Sequence, residues 1–152
     1  MQSGTTIPAL LSGSAARAPE SEAIESPGRP ALTFAQLIAQ IGGVGAELRR
    51  RGVGPTDAVA SILPNGPEAA LVFLAVSSVA RCAPLNPAYG GSELEFYLGD
   101  LDAKHLIISS QIDSPARDIA RGRGAVVIEL AAVADQAAVS LDGTLPGPAE
   151  RP

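Results

Sequence analysis

Between residues 59 and 102 short apolar runs alternate twice with stretches in which apolar residues recur at helical spacing. Residues 59–63 (VASIL) form an apolar run closed by Pro64 and Asn65, the length and boundary of a buried strand. Asn65, with Glu68 three residues on, predicts a capping box around Pro67 at the first helical position. Every residue from 69 to 76 is apolar, and a helix without a polar face is one covered on all sides by a larger body. Residues 82–85 predict a second short strand, stopped by Asn86 and Pro87. Ser92 with Glu95 predicts another capping box, ahead of Leu94, Tyr97, Leu98 and Leu101 at helical spacing. Strands joined through helices in this way run parallel.

The flanks extend the unit. Residues 23–25 and 31–33 enclose the turn-rich Ser26, Pro27, Gly28, Arg29 and Pro30, which predicts a β-hairpin. Thr33 and Gln36 predict a capping box, and Phe34, Leu37, Ile38, Ile41, Val44 and Leu48 mark one face of a surface helix that Gly52 ends. Gly42, Gly43 and Gly45 lie inside that helix at a cost of about 1 kcal/mol each against Ala, which implies close packing on a strand or neighbouring helix. Ahead of the hairpin, Ile7, Leu10 and Leu11 predict a short helix lying on the body. Residues 103–108 predict a third parallel strand, and Ser114 and Pro115 begin a helix with Ala116, Ile119 and Ala120 inward and Arg117, Arg121 and Arg123 in water. Residues 125–130 predict a fourth strand and residues 131–138 a weak helical stretch. Residues 140–152 hold three prolines and two glycines and predict a linker without a core of its own. The fold class is therefore α/β, a parallel β-sheet with right-handed crossover helices.

Several of these segments carry a family resemblance. Residues 57–65 (DAVASILPN), then Phe73, Leu74 and Ala75 with Arg81, then residues 83–87 (APLNP), resemble the N-terminal region of the adenylate-forming acyl-CoA synthetases, the AMP-dependent synthetase and ligase family. Residues 31–37 (ALTFAQL) resemble the family's opening helix and residues 93–102 its next one, so the similarity covers roughly residues 5 to 130. Residues 96–101 (FYLGDL) look most like oxalate- and fatty-acid-activating members. The resemblance implies that residues 1–139 are the N-terminal part of the large AMP-binding domain, with residues 140–152 leading to a phosphate loop that the chain does not contain. It implies ATP, magnesium and coenzyme A as cofactors of the full-length enzyme, a carboxylic acid as its substrate, and the remainder of the ligase as the partner of this segment.

Composition narrows the picture further. Charged residues make up 18% of the 152, below a usual value of about 25%, so the surface is short of charge and self-association through exposed apolar area is expected. A net charge of −5 argues against nucleic acid, whose phosphates require clustered cations. The one basic run, Arg49, Arg50 and Arg51, ends a predicted helix, where cations favour the dipole. A sole cysteine, Cys82, excludes an internal disulfide and gives no sign of an oxidising compartment. The N-terminal apolar patch at residues 7–11 is too short for a signal core and residues 69–80 are too short to span a membrane, so a cytoplasmic location is expected.

No residue stands out as catalytic, cofactor-binding or metal-binding. Ser3, Gly4, Thr5 and Thr6 imitate the family's phosphate loop, but Ile7 and Pro8 follow where the loop requires glycine, proline and lysine. Lys104 is the only lysine, so neither the loop lysine nor the family's late catalytic lysine has a counterpart, and adenylation by this segment alone lacks its electrostatic catalysis. Gly43, Val44 and Gly45 lack the third glycine and the preceding strand of a dinucleotide fingerprint. His105 has no nucleophile or carboxylate motif around it and is expected to be a surface or hydrogen-bonded residue. Cys82 reads as a buried, inert thiol, with Arg81 as the alternative thiolate partner. Asp100 and Asp102 read as a solvated helix end without a third metal ligand, and Tyr89 and Tyr97 as packing and capping residues. Two function classes follow: the N-terminal segment of an acid–CoA ligase, inactive alone, or a free-standing flavodoxin-like module that binds a small molecule or partner at the carboxyl ends of its strands.

Overall fold

The structure, a computed structural model, describes residues 5–133 and 138–143. Its elements in chain order are α1 (Ile7–Arg17), β1 (Glu22–Ile24), β2 (Leu32–Thr33), α2 (Phe34–Arg50), β3 (Ala58–Ile62), α3 (Pro67–Ser77), β4 (Arg81–Pro84), α4 (Gly91–Asp100), β5 (His105–Ser109), α5 (Ala116–Gly122), β6 (Val126–Ala132) and β7 (Val139–Leu141). β1 and β2 make the small antiparallel hairpin. The main sheet has the order β4-β3-β5-β6-β7, with its first four strands parallel and β7 antiparallel to β6. Every residue of β3 and β5 is buried, as a parallel sheet covered on both faces requires.

Alternation along the strands divides the core in two. Val59, Ile107 and Ile128 face Leu37, Ile41, Val44 and Leu48 of α2 and Leu71, Val72, Ala75 and Val76 of α3. Ala60, Ile62, Leu106 and Ile108 face Leu94 and Leu98 of α4 and Ala116 and Ala120 of α5. The chain steps from β3 outward to β4 through α3, then back past β3 to β5 through α4 on the opposite face. Reversing both direction and face keeps the crossovers of one hand.

α2 is specified locally at both ends. The Gln36 N–H donates to Thr33 Oγ1 at 3.2 Å and the Thr33 N–H to Gln36 Oε1 at 2.9 Å. Gly52, at φ +87°, takes the left-handed turn that lets its N–H reach Arg49 O and the Val53 N–H reach Leu48 O, both at 3.0 Å. The buried Gly45 is where α2 meets the end of α3: a Cβ there would stand 3.2 Å from Val79 Cγ1.

The structure corrects several expectations. Asn65 does not cap α3; Gly66 is the cap residue without a side-chain bond, and Glu68 is turned to an ion pair with Arg29. α4 starts two positions earlier than a Ser92–Glu95 box requires, because Glu93 accepts the Gly90 N–H at 2.8 Å and Glu95 points to Arg123. α3 is not covered all round: Phe73 is 40% exposed. Ala131 and Ala132 continue β6 rather than starting a helix, since β7 pairs with them; the rest of that expected helix, residues 134–137, lies outside the described residues. Ser140 and Leu141 belong to the sheet, with Leu141 wholly buried, and the expected linker from residue 144 onward lies outside the described residues. Arg121 and Arg123 are exposed as expected, whereas Arg117 is held by Glu129.

Candidate functional site

Reversal of the chain direction between β3 and β5 opens the sheet at their carboxyl ends, because the segments leaving the two strands turn to opposite faces. Open α/β sheets bind ligands at such a switch point. A cleft of about 390 Å³ lies there, lined by Leu63 and Pro64 after β3, Ser109, Ser110 and Gln111 at the end of β5, and Leu130, Ala131 and Ala132 of β6. Arg29, from the hairpin turn, and Glu68, in the first turn of α3, form an ion pair at its rim. A neighbouring cleft of about 560 Å³ above β3 and β4 is lined by Asn65, Ala69, Asn86, Pro87 and Ala88, among others.

Each wall is held by local bonds. Asn86 Oδ1 accepts the Ala88 N–H at 2.9 Å, a side-chain-closed turn that shapes the loop after β4. Ser109 Oγ accepts the Gln111 N–H at 3.2 Å, and the Arg117 guanidinium donates to Ile112 O at 2.6 Å and to Ser109 O at 3.0 Å. The loop after β5 is thus gripped from below by Arg117, whose Nε and Nη2 also bind Glu129 at 2.6 and 2.9 Å. That guanidinium holds the Glu129 carboxyl below the usual carboxylate range, the hydrogen bond being the main cause. Asn65, Asn86, Ser110 and Gln111 are neutral donors and acceptors, suited to holding and orienting a group rather than to moving protons.

Residues weighed for chemistry lie elsewhere. Lys104 pairs with Asp102 at 3.0 Å before the amino end of β5, the opposite end of the sheet from the clefts. His105, next to it, is buried rather than at the surface, and its Nδ1 has no hydrogen-bond partner among the described residues. Its position at the first residue of a fully enclosed strand buries the ring. Cys82 in β4 is half-buried, and burial pushes its thiol up to about 11 against a smaller opposing bond with Ser61. Arg81 does not serve it as a partner, since its Nε donates to Thr56 O at 3.2 Å. Thr6 caps α1 through Oγ1, while Ser3 and Gly4 lie outside the described residues. Gly43, Val44 and Gly45 are buried in α2, and Tyr89 stacks on Tyr97 with ring centroids 5.1 Å apart. Of the basic run, Arg50 and Arg51 both pair with Glu47, and Arg51 also with Asp142.

The family model of AMP-binding enzymes matches residues 11–151. The chain belongs to the AMP-binding enzyme family. It is 38% identical to the oxalate–CoA ligase of Arabidopsis thaliana over 117 residues, 76% of this chain and 23% of that protein. With the medium/long-chain-fatty-acid–CoA ligase FadD6 of Mycobacterium tuberculosis it shares 37% identity over 105 residues, covering 68% of this chain and 18% of that one. Among solved structures, apo MatB from Rhodopseudomonas palustris superposes with a TM-score of 0.67 at 30% identity, covering 74% of this chain and 23% of that one. A long-chain-fatty-acid-CoA ligase from Archaeoglobus fulgidus superposes with a TM-score of 0.75 over 87% of this chain and 28% of that one; at 21% identity it bears on the fold alone. This member of the AMP-binding family therefore spans 18–23% of the length of those two curated relatives.

The described residues do not fit a nucleotide triphosphate. Lys104, the sole lysine, is paired with Asp102 at the far end of the sheet from the clefts, and Arg29, the cation at the switch-point cleft, is paired with Glu68. The switch-point residues Ser109, Ser110 and Gln111 were missed in the sequence, where only their place after an apolar run in a parallel unit marks them.

Proposed function

We propose that this chain supplies the N-terminal part of the adenylation domain of an acid–CoA ligase, which activates a carboxylic acid with ATP and magnesium to an acyl-adenylate and passes the acyl group to coenzyme A. The observation that carries the reading is the AMP-binding match across residues 11–151, together with identity to two curated CoA ligases. In it, the chain through β7 belongs to the large domain and the Pro- and Gly-rich residues that follow lead toward the phosphate loop. Similarity to an oxalate–CoA ligase and a fatty-acid–CoA ligase supports a carboxylic acid as the substrate class, and the reading puts the enzyme in the cytoplasm. No helix among the described residues is long and apolar enough to cross a membrane.

Made alone, the chain is expected to give no acid-dependent exchange of labelled pyrophosphate into ATP with acetate, oxalate, a medium-chain or a long-chain acid. Losing even one preorganised donor costs about a hundredfold in rate, and on this reading the phosphate loop and both lysines lie outside this chain. A chimera in which the chain replaces the matched segment of the Arabidopsis oxalate–CoA ligase is expected to restore oxalate-dependent exchange. Exchange by the chain alone, or a folded chimera that binds no ATP, would overturn the proposal.

A further inference from the structure

The two edges of the main sheet are finished differently. On one side the short antiparallel β7 closes β6, with Val139 and Leu141 buried and Asp142 tied to both Arg51 and the Glu129 N–H. On the other side β4 is exposed at Arg81 and Pro84 and half-buried at Cys82 and Ala83, and no strand among the described residues pairs with its outer edge. Arg81 and Leu85 donate their N–H groups inward, to Asp57 O at 3.0 Å and Ser61 O at 2.8 Å, so alternation turns the Cys82 N–H outward. Pro84, next on that outward side, has no N–H to offer. A single outward donor does not hold a long added strand, and side chains must carry any contact made here.

Those side chains are aromatic and flank the edge on both faces. On α4, Glu95 and Gly99 meet Arg123 at the end of α5, while Leu94 and Leu98 face the sheet. At 100° per residue Tyr97 then falls on the side away from α5, toward β4, where it is 37% exposed and stacked on Tyr89. Phe96, 64% exposed, meets Tyr97 edge to face at 5.3 Å. On α3, Ser78 and Val79 just past the helix end approach Gly45 of α2, and Ala69 lines the cleft above β4. Phe73 lies one turn beyond Ala69 on that same side of α3. The β4 edge is therefore an apolar strip bracketed by Phe73 on one face and by the stacked Tyr89 and Tyr97 on the other, with Phe96 on the outer side of α4 against Tyr97.

We propose that this strip is the seat on which the remainder of the acid–CoA ligase packs, by aromatic contact across the β4 edge; the inference rests on the function proposed above. The length of the relatives names the occupant, because this chain corresponds to only 23% of the oxalate–CoA ligase. Charge disfavours a second copy. A two-fold contact would bring the strip against itself, and Glu93 and Asp100, exposed on the same side of α4 as Tyr97, would meet their own copies, with Arg81 the cation on β4 among the described residues to offset them.

The test mixes the 152-residue chain with the Arabidopsis oxalate–CoA ligase polypeptide lacking its matched segment, and reads hydroxyl-radical oxidation of each aromatic by mass spectrometry. Association is expected to lower oxidation of Phe73, Phe96 and Tyr97 at least fivefold. The substitutions Phe73→Asp and Tyr97→Asp are expected to weaken association at least tenfold, with Val126→Asp, at a 50% exposed site off the strip, binding as the parent does. Association with these aromatics still oxidised as in the free chain would overturn the seat while leaving the proposed function standing. Failure of the two polypeptides to associate would overturn both, and a chain that instead dimerises through the strip would overturn the choice of occupant.

Discussion

Arg117 clasps Glu129 with two prongs, Nε to Oε1 at 2.6 Å and Nη2 to Oε2 at 2.9 Å, so that α5, β6 and the loop after β5 are joined by one planar group. Such forked charge-assisted bonds are the strong ones, but both side chains keep some exposure, 20% and 35%, which discounts them toward the surface range. A double-mutant cycle with Arg117→Ala and Glu129→Gln is expected to give a coupling of about 1 kcal/mol at pH 7 by urea unfolding.

The same pair sets a pH dependence. Because the folded-state carboxyl of Glu129 titrates below its ordinary 4.5, its stabilisation is present above that value and is lost as the pH falls through the folded value. The coupling is expected to shrink progressively as the pH falls below 4.5, and a coupling that does not change with falling pH would exclude the ionic account.

Leu141 tests whether the chain after residue 139 belongs to the body. It is wholly buried at the end of β7, so Leu141→Ala is expected to cost about 2–5 kcal/mol in denaturant unfolding. A residue in a solvated linker would cost nothing.

Two glycines in helices should respond in opposite senses. Gly45→Val forces a larger group against Val79, already 3.2 Å from the first added carbon, and is expected to cost about 1–3 kcal/mol. Gly122→Ala, at the last residue of α5 with nothing within 4 Å, is expected to stabilise by up to about 1 kcal/mol through helix propensity. Thermal unfolding of the two variants beside the parent checks both signs.

Cys82 should be sluggish. With its thiol raised from 9.0 to about 11, chiefly by burial, its alkylation by iodoacetamide at pH 8 is expected to run about a hundredfold slower than that of an unperturbed thiol, and to climb through pH 10 without levelling. A folded thiol that ionises late also removes stability as the pH rises from 9 toward 11, because the unfolded chain gives up its proton first.

What was legible in the sequence was what local pattern dictates. The apolar runs at Val59, Ile107 and Ile128 became parallel strands, and Thr33 with Gln36 formed the predicted box. Misreadings arose where a distant partner decides. Glu68 has the spacing of a capping residue, yet Arg29 of the hairpin claims it. Arg117 has the look of a solvated helix residue until Glu129, twelve positions on, is brought beneath it by the sheet. Leu141 stands in a segment with linker composition, and only pairing with Leu130 makes it core. The switch-point cleft follows from strand order, and no stretch of sequence states in which direction the chain steps after β3.

The stacked Tyr89 and Tyr97 are the only tyrosines in a chain without tryptophan. Nearly all near-ultraviolet absorbance of the molecule therefore originates beside a single sheet edge. Tyrosine emission and near-ultraviolet dichroism of the free chain report the order of that edge and say almost nothing about the core between α2 and α3. Such a chain could lose its α2–α3 packing while its tyrosine spectrum stayed native, so unfolding followed at 280 nm and by backbone dichroism gives coincident curves only if the two halves of the molecule melt together.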